Sequence, residues 1–369
     1  MIRKDLRKIF TRLVLIAVPV AFYAKPASAI DFDGGVTSVY QHAFENRLED
    51  DANASMDLNF GYDGRGYSVK AHAEINTTPK STGIASVIGQ SNADAGTALS
   101  QDDHGRFQLS ELFVSVPFHS KFKVHMGLID STVFFDTARI ANDENSQFLA
   151  SDFVNNPVID FPDYALAIAV EYPFSSINTT RLMISSTNGL ADNPSRDYSS
   201  LFEVDDDQKG IFSILESQWQ TGEGFIEIGI WSHNGDHVAL DDPAQNKLKN
   251  YGAYLTAGAS KANQAIEFRV GYSNERVSTA TGFASIAYQF TGDDWTLGSA
   301  YGYTKISKYL HQPHESVQEV ELYANRELVR NLSISPSIQY FNHPLYDNSI
   351  VSKISDDIWT ANLRMHLVF

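Results

Sequence analysis

The sequence predicts an all-β protein: a 16-stranded antiparallel transmembrane β-barrel with short turns at one end, long loops at the other and a third long loop folded inward. Three observations carry that expectation. Apolar and polar residues alternate with period 2 in segment after segment, which gives each strand one apolar and one polar face. The connections alternate short and long along the chain. The chain stops on a strand that ends in a bare phenylalanine, Phe369. The segments number sixteen, and 14 or 18 strands remain compatible with the weaker ones.

The N-terminal stretch stands apart. Arg3, Lys4, Arg7, Lys8 and Arg12 precede an apolar run from Leu13 to Ala24, and Ala27-Ser28-Ala29 offers a small-x-small cleavage site. This is the layout of a secretory signal peptide over residues 1–29. The run is shorter than the ~20 residues a membrane-spanning helix needs. Cleavage would leave one barrel domain, 30–369. The leader takes six Lys/Arg and one Asp with it, so the formal charge falls from −17 to −22. That charge argues against nucleic acid, because phosphate binding needs dense Lys/Arg. It suits cations, neutral polar solutes, or divalent ions bridging to anionic lipid heads. The chain has no Cys, so disulfides hold none of the fold.

The alternating segments are centred near Val39, Leu58, Ala71, Leu112, Val124, Ile168, Leu182, Ile214, Ile228, Leu255, Phe268, Ile286, Ser299, Val320, Ile334 and Leu363. In "SMDLNFGY", Met56, Leu58, Phe60 and Tyr62 share a face. In "GYSVKAHAEIN", Tyr67, Val69, Ala71, Ala73 and Ile75 oppose Ser68, Lys70, His72 and Glu74. In "QAIEFRVGY", Ile266, Phe268, Val270 and Tyr272 oppose Glu267, Arg269 and Gly271. The final segment sets Trp359, Ala361, Leu363, Met365, Leu367 and Phe369 against Thr360, Asn362, Arg364, His366 and Val368. The segments near Leu112, Ile168 and Ile214 are apolar on both parities or change phase, which a bulge would explain.

Tight turns are expected at Asp63–Gly66, His119-Ser120, Pro173–Asn178, Thr221–Gly224, Lys261–Gln264, Thr291–Asp294 and Asn325–Glu327. Long polar connections run over Asn76–Gly105, Asp130–Asp163, Asn188–Lys209, Asn234–Asn250 and Asn342–Asp357. In an antiparallel sheet, alternate connections fall at opposite ends. One end is therefore trimmed and the other elaborated, as in bacterial outer-membrane barrels with short periplasmic turns and long outer loops. In lipid every backbone N–H and C=O must be paired, so such a sheet closes on itself, apolar parity outward and polar parity around water. Tyr62, Tyr272, Trp295, Tyr340 and Trp359 sit near strand ends and suit interfacial girdles. The terminal aromatic resembles the C-terminal signature of bacterial outer-membrane proteins. A soluble sandwich or propeller would show alternation too, but it needs neither the strict loop rhythm nor a terminal Phe.

Sixteen strands enclose a channel unless something fills it. The natural filler is Asp130–Asp163, with acids at Asp130, Asp136, Asp143, Glu144, Asp152, Asp160 and Asp163, a single base, Arg139, and Phe134, Phe135, Phe148, Phe153 and Phe161. A loop this aromatic packs against a wall. Asp130, Phe134, Phe135, Asp136, Arg139, Asp143, Glu144, Phe148 and Asp152 are the expected constriction residues. Lys70, His72, Arg181, Arg269, Arg364 and His366 are the inward bases their carboxylates would face. The alternative is a loop that caps the barrel from outside.

The stretch "HMGLIDSTVFFDTARIANDENSQFLASDFVNNPVIDFPDYALAIAVEYPF", with the strand before it, resembles the carbohydrate-selective porin family of Gram-negative bacteria over roughly residues 111–174. A glycine at the strand end, an Asp/Asn-rich loop containing "QF", and a Pro before the next strand carry the likeness. Met126-Gly127-Leu128 replaces the usual Gly-Arg, so the family's basic constriction contact is not carried over there. The resemblance implies a passive channel for sugars or similar small polar solutes, with lipid and lipopolysaccharide around it. It implies no cofactor, and it leaves open the homotrimer common among porins.

Other readings are weaker. "WSHNGD" (Trp231–Asp236) and "SSTNGL" (Ser185–Leu190) have a superficial likeness to the His-x-Ser-Asn-Gly stretch of outer-membrane phospholipases. Neither has His and Ser in that order, and no oriented nucleophile–base set is evident. "HQPH" (His311–His314) reads as surface-loop histidine rather than a metal site. "EVDDDQ" (Glu203–Gln208) lacks the spacing of a calcium loop. A plugged barrel acting as an adhesin or anchor is the non-transport alternative, and a barrel hydrolase comes last.

Overall fold

The computed structural model describes residues 30–95, 105, 107–118, 121–190, 198–202, 204, 209–242, 244–245, 247–310 and 314–369. The expected signal peptide (1–29), the expected His119-Ser120 turn, and most of Glu203–Gln208 and His311–His314 lie outside the described residues. The strands are β1 (Ile30–Ala43), β2 (Asp51–Gly64), β3 (Tyr67–Asn76), β4 (Phe107–Phe118), β5 (Phe122–Ile129), β6 (Ala165–Pro173), β7 (Asn178–Ser186) and β8 (Ile211–Thr221) in the first half. The second half supplies β9 (Gly224–His237), β10 (Leu248–Lys261), β11 (Gln264–Ser273), β12 (Ala280–Thr291), β13 (Thr296–Ile306), β14 (Val317–Val329), β15 (Leu332–Asn342) and β16 (Asp357–Val368).

Each strand pairs antiparallel with its sequence neighbours, and β1 pairs with β16, so the sheet closes into a 16-stranded barrel. Closure runs to the last residue: Phe369 N–H donates to the Gly34 carbonyl at 2.9 Å, and Gly34 N–H donates to the Phe369 carbonyl at 3.1 Å. The Phe369 ring joins Phe32, which packs at a tilt against Phe60. All sixteen expected segments coincide with strands. Connections of two to four residues alternate with loops of six or more. One expected turn is misplaced. Asn325, Arg326 and Glu327 belong to β14, and the chain reverses at Arg330-Asn331. The reversal needs a left-handed residue, and Asn331 supplies it with φ 68°.

The two parities separate as lipid and water require. Trp359, Leu363, Met365, Leu367 and Phe369 are exposed on the outer face, while Thr360, Asn362 and Arg364 point inward and are buried. The same split repeats on β9, where Ile226, Ile228 and Ile230 face out and Phe225, Glu227 and Trp231 face in. The exposed oily residues of these strands therefore form an outer surface and not the core of a sandwich.

The segments that read as apolar on both faces have two causes. On β4 the register against β3 slips at His72/Ala73, leaving Ser110 unopposed, so a bulge changes the phase there. On β6, β7 and β8 the pairing is regular. Their inward faces carry Ala167, Ala169, Met183, Phe212 and Ile214, which pack with Phe135, Ile159 and Phe161 of the β5–β6 loop. The inner wall is oily where a loop covers it.

Candidate functional site: the third long loop across the lumen

The β5–β6 connection starts where two strands can approach closely. Gly127 lies opposite Phe113 with φ 142°, and a Cβ there would sit 2.2 Å from the Leu112 carbonyl oxygen. Asp130 then caps a 3₁₀ turn, Ser131–Val133, accepting from Thr132 N–H at 2.9 Å. From there the chain enters the barrel interior and ends with a helical turn, α1 (Ser151–Val154), and an exit leg through Asp160.

A loop crossing a barrel carries backbone donors that no strand satisfies, and burial without partners costs about 1–3 kcal/mol each. Wall glutamates supply the acceptors. Glu216 accepts from Asp136 N–H at 2.9 Å, and Glu227 accepts from Thr137 N–H at 3.0 Å and its hydroxyl at 2.7 Å. Glu267 takes the N–H groups of Arg139 and Ile140 at 2.7 and 3.0 Å. Glu321 takes those of Leu149 and Ala150 at 3.0 and 2.8 Å. These four carboxylates, on β8, β9, β11 and β14, are almost wholly buried.

Arginines hold the loop's carbonyls. Arg269, 2% exposed, donates to the Phe153 and Asp136 carbonyls at 2.8 and 3.2 Å, and its Nε lies 3.5 Å from the Asp136 carboxylate. Arg364 donates to the carbonyls of Glu144 and Gln147. Aromatic rings fill the space between. Phe148 packs on Phe153 at 5.3 Å and edge-on to Tyr323 at 4.9 Å. Tyr323 fits only because Gly298 is opposite it, since a Cβ there would fall 2.0 Å from the ring.

The expected pairing of loop acids with wall bases is therefore mostly reversed. Asp136–Arg269 is such a pair. The other bases act otherwise: Lys70 pairs with Glu111 at 2.9 Å, His72 with Asp57 at 2.9 Å, and Arg181 with Glu171 at 2.9 Å and Glu216 at 3.3 Å, all wall to wall. His366 Nδ1 lies 2.8 Å from the Thr37 hydroxyl. The physical reason is supply: a loop without regular structure has more orphan N–H groups to satisfy than side-chain charges. Among the expected constriction residues, Phe135 and Phe148 are fully buried against the wall, Phe134 packs edge-on to Phe113 and tilted against His125, and Arg139 lies over the Phe225 ring at 4.3 Å. Asp152 accepts from Thr304 and Gln90 at 2.9 and 3.1 Å.

The clamping glutamates were missed by sequence reasoning. Their signal is present, because Glu216, Glu227, Glu267 and Glu321 all sit on the inward parity of their strands.

On the opposite side the loop leaves an open cavity of about 390 Å³. Glu74, Asp130, Asp143, Glu144 and Asp163 line it with Asn142, Asn155 and Tyr164, and no base contributes among the described residues. Burial pushes the Asp130 carboxyl up, helped by nearby Glu111. Burial, with Asp94 and Asp143 as like-charged neighbours, pushes Glu144 up to about 8. Burial alone raises Asp152 to about 6, against its hydrogen bonds.

Two solved structures share this architecture. The high-pH structure of Pseudomonas putida OprB superposes with a TM-score of 0.66 at 12% identity, covering 93% of this chain and 94% of that one. A mutant of the Rh. blastica porin gives a TM-score of 0.56 at 12% identity, covering 92% of this chain and all of that one. A curated relative, an uncharacterized protein of Aquifex aeolicus, is 35% identical over 97 residues, which is 26% of this chain and 31% of that protein. The description of the carbohydrate-selective porin, OprB family, matches residues 73–369, and the chain belongs to that family of outer-membrane porins.

Proposed function

We propose that this porin passes small polar solutes, sugars first among them, through the acid-lined cavity beside the inward-folded loop, and that it prefers neutral or cationic solutes to anions. The observation that supports this reading is the cavity itself: about 390 Å³, lined by five carboxylates and, among the described residues, no base. A wall of one charge sign raises the local concentration of counter-ions and repels co-ions. The loop residues Asp130, Asp143 and Glu144 form the constriction with Glu74. Phe134, Phe135, Asp136, Phe148 and Asp152 hold the loop in place, as do Arg269 and Arg364 from the wall. Arg139 borders the path nearer the short-turn end, where a second cavity of about 360 Å³ opens beside Gln264 and Gln289.

In this reading residues 1–29 are removed on export and the short turns face the periplasm. The outer loops meet lipopolysaccharide through divalent ions, and the barrel assembles as a homotrimer. Family and fold fit a channel better than an enzyme. Liposome swelling with a graded sugar series tests the reading. Swelling that falls off with sugar size is expected, and no swelling with any sugar would favour a plugged anchor instead. A reversal potential favouring anions in a salt gradient would remove the charge argument.

A further inference from the structure

The outer mouth carries a cluster that the passage of solutes does not use. Asp160, on the exit leg of the third long loop, meets His233 and His237 at the loop end of β9. His233 Nδ1 lies 2.9 Å from Asp160 Oδ2, His237 Nε2 lies 3.5 Å from the same oxygen, and Asn250 of β10 donates to it at 3.0 Å. The two imidazoles stand edge-to-face, 4.3 Å apart.

His237 Nδ1 lies 3.1 Å from the Gly235 carbonyl. A carbonyl only accepts, so Nδ1 carries the proton, and Nε2 faces the carboxylate either as an imidazolium N–H or, once deprotonated, with the lone pair a metal ion needs. A positive charge belongs between these two groups, and a divalent ion can take the place of the proton that otherwise supplies it. His233 brings a third donor atom to the same place. We propose that Asp160, His233 and His237 form a binding site for a divalent transition metal, zinc being the best fit, at the outer mouth of the barrel.

The chemistry of the set supports zinc: two imidazole nitrogens and one carboxylate, with a fourth position left to water, is a recurrent zinc arrangement. Tetrahedral bonds of about 2.1 Å put ligand atoms about 3.4 Å apart, and the three atoms here already lie within 4.8 Å of one another. The Gly235 carbonyl and the Asn250 amide are the outer contacts that orient such ligands. The imidazoles are mostly shielded, at 14% and 20% exposure, while the Asp160 carboxylate at 40% leaves an approach from the mouth. A bound ion would tie the loop's exit leg to β9, across a separation of 73 residues.

The experiment uses the full-length barrel in detergent, stripped of metal, and needs no transport. Cobalt(II) is titrated while its visible absorption is followed, and zinc is then added as competitor. One equivalent of cobalt with the intense bands of a four- or five-coordinate ion is expected, displaced by one equivalent of zinc. His237→Ala and Asp160→Asn should each weaken binding by more than about 100-fold, and Asn250→Ala by about tenfold. Heat-dependent gel migration checks that each variant keeps its barrel. No stoichiometric cobalt spectrum in the wild-type protein would overturn the site whatever the variants do. So would binding that His237→Ala leaves unchanged.

Discussion

The two sides of the lumen use the same chemical group in opposite ways. On the β8–β14 side, Glu216, Glu227, Glu267 and Glu321 are buried and each accepts backbone N–H groups of the inward loop. On the other side, Glu74, Asp130, Asp143, Glu144 and Asp163 border an open cavity. The first set holds a structure; the second lines the cavity through which solutes are proposed to pass. A count of inward carboxylates therefore says little about selectivity. What differs is what the carboxylates face: the first set is enclosed against the loop backbone, while the second, although Ser110, Thr132 and Asn145 donate to some of its members, borders open space.

The largest effect should come from breaking the clamp at its one buried loop-acid pair. Arg269→Ala leaves Asp136 buried without its cation and frees the Phe153 carbonyl. Loss of one partner of a buried pair costs about 3–5 kcal/mol. The loop should detach, so that liposome swelling admits larger sugars and protease cuts within 130–163. An unchanged size limit would show that the loop is held elsewhere.

Glu321→Gln should do less. It replaces charge-assisted bonds from Leu149 and Ala150 with weaker ones, a loss of about 1–2 kcal/mol. Noisier single-channel current with a normal size limit is the expected readout.

The cavity side should respond in selectivity and not in stability. Asp143→Asn with Glu144→Gln should lower the cation-to-anion permeability ratio by about twofold to fivefold. Thermal unfolding should stay within about 5 °C of the parent.

The smallest effect is one of pH. Glu144, pushed up to about 8, is mostly neutral below that value and gains its charge as pH rises through it. Asp130 is raised too. Cation preference should therefore grow between about pH 7 and pH 9, and Glu144→Gln should flatten that rise. A preference that falls over the same interval would contradict the assignment of Glu144 to the path.

Much of the barrel was legible because strand faces are a local, period-2 property. The run from Trp359 to Phe369 shows both faces without help from any other part of the chain. The misread turn at Asn325–Glu327 was a matter of polarity standing in for conformation: three polar residues resemble a turn, but the reversal went to Asn331, which accepts a left-handed backbone. The apolar inner faces of β6 and β8 looked like irregular strands, because nothing in their own residues says that a loop will lie on them. The aromatic content of Asp130–Asp163 did announce that the loop packs against a wall. It did not announce that wall glutamates would bind its backbone.

The sequence by itself determined where the strands lie and which parity of each is apolar, with sixteen as the expected count, since alternation and strand ends are written in consecutive residues; that β1 closes on β16 through Phe369 came from the structure. The tertiary structure alone decided which carboxylates clamp the loop and which border the cavity. Those roles depend on partners far off in the chain, such as Ala150 and Glu321 at a separation of 171 residues, and a carboxylate looks the same in sequence whichever donor it will meet.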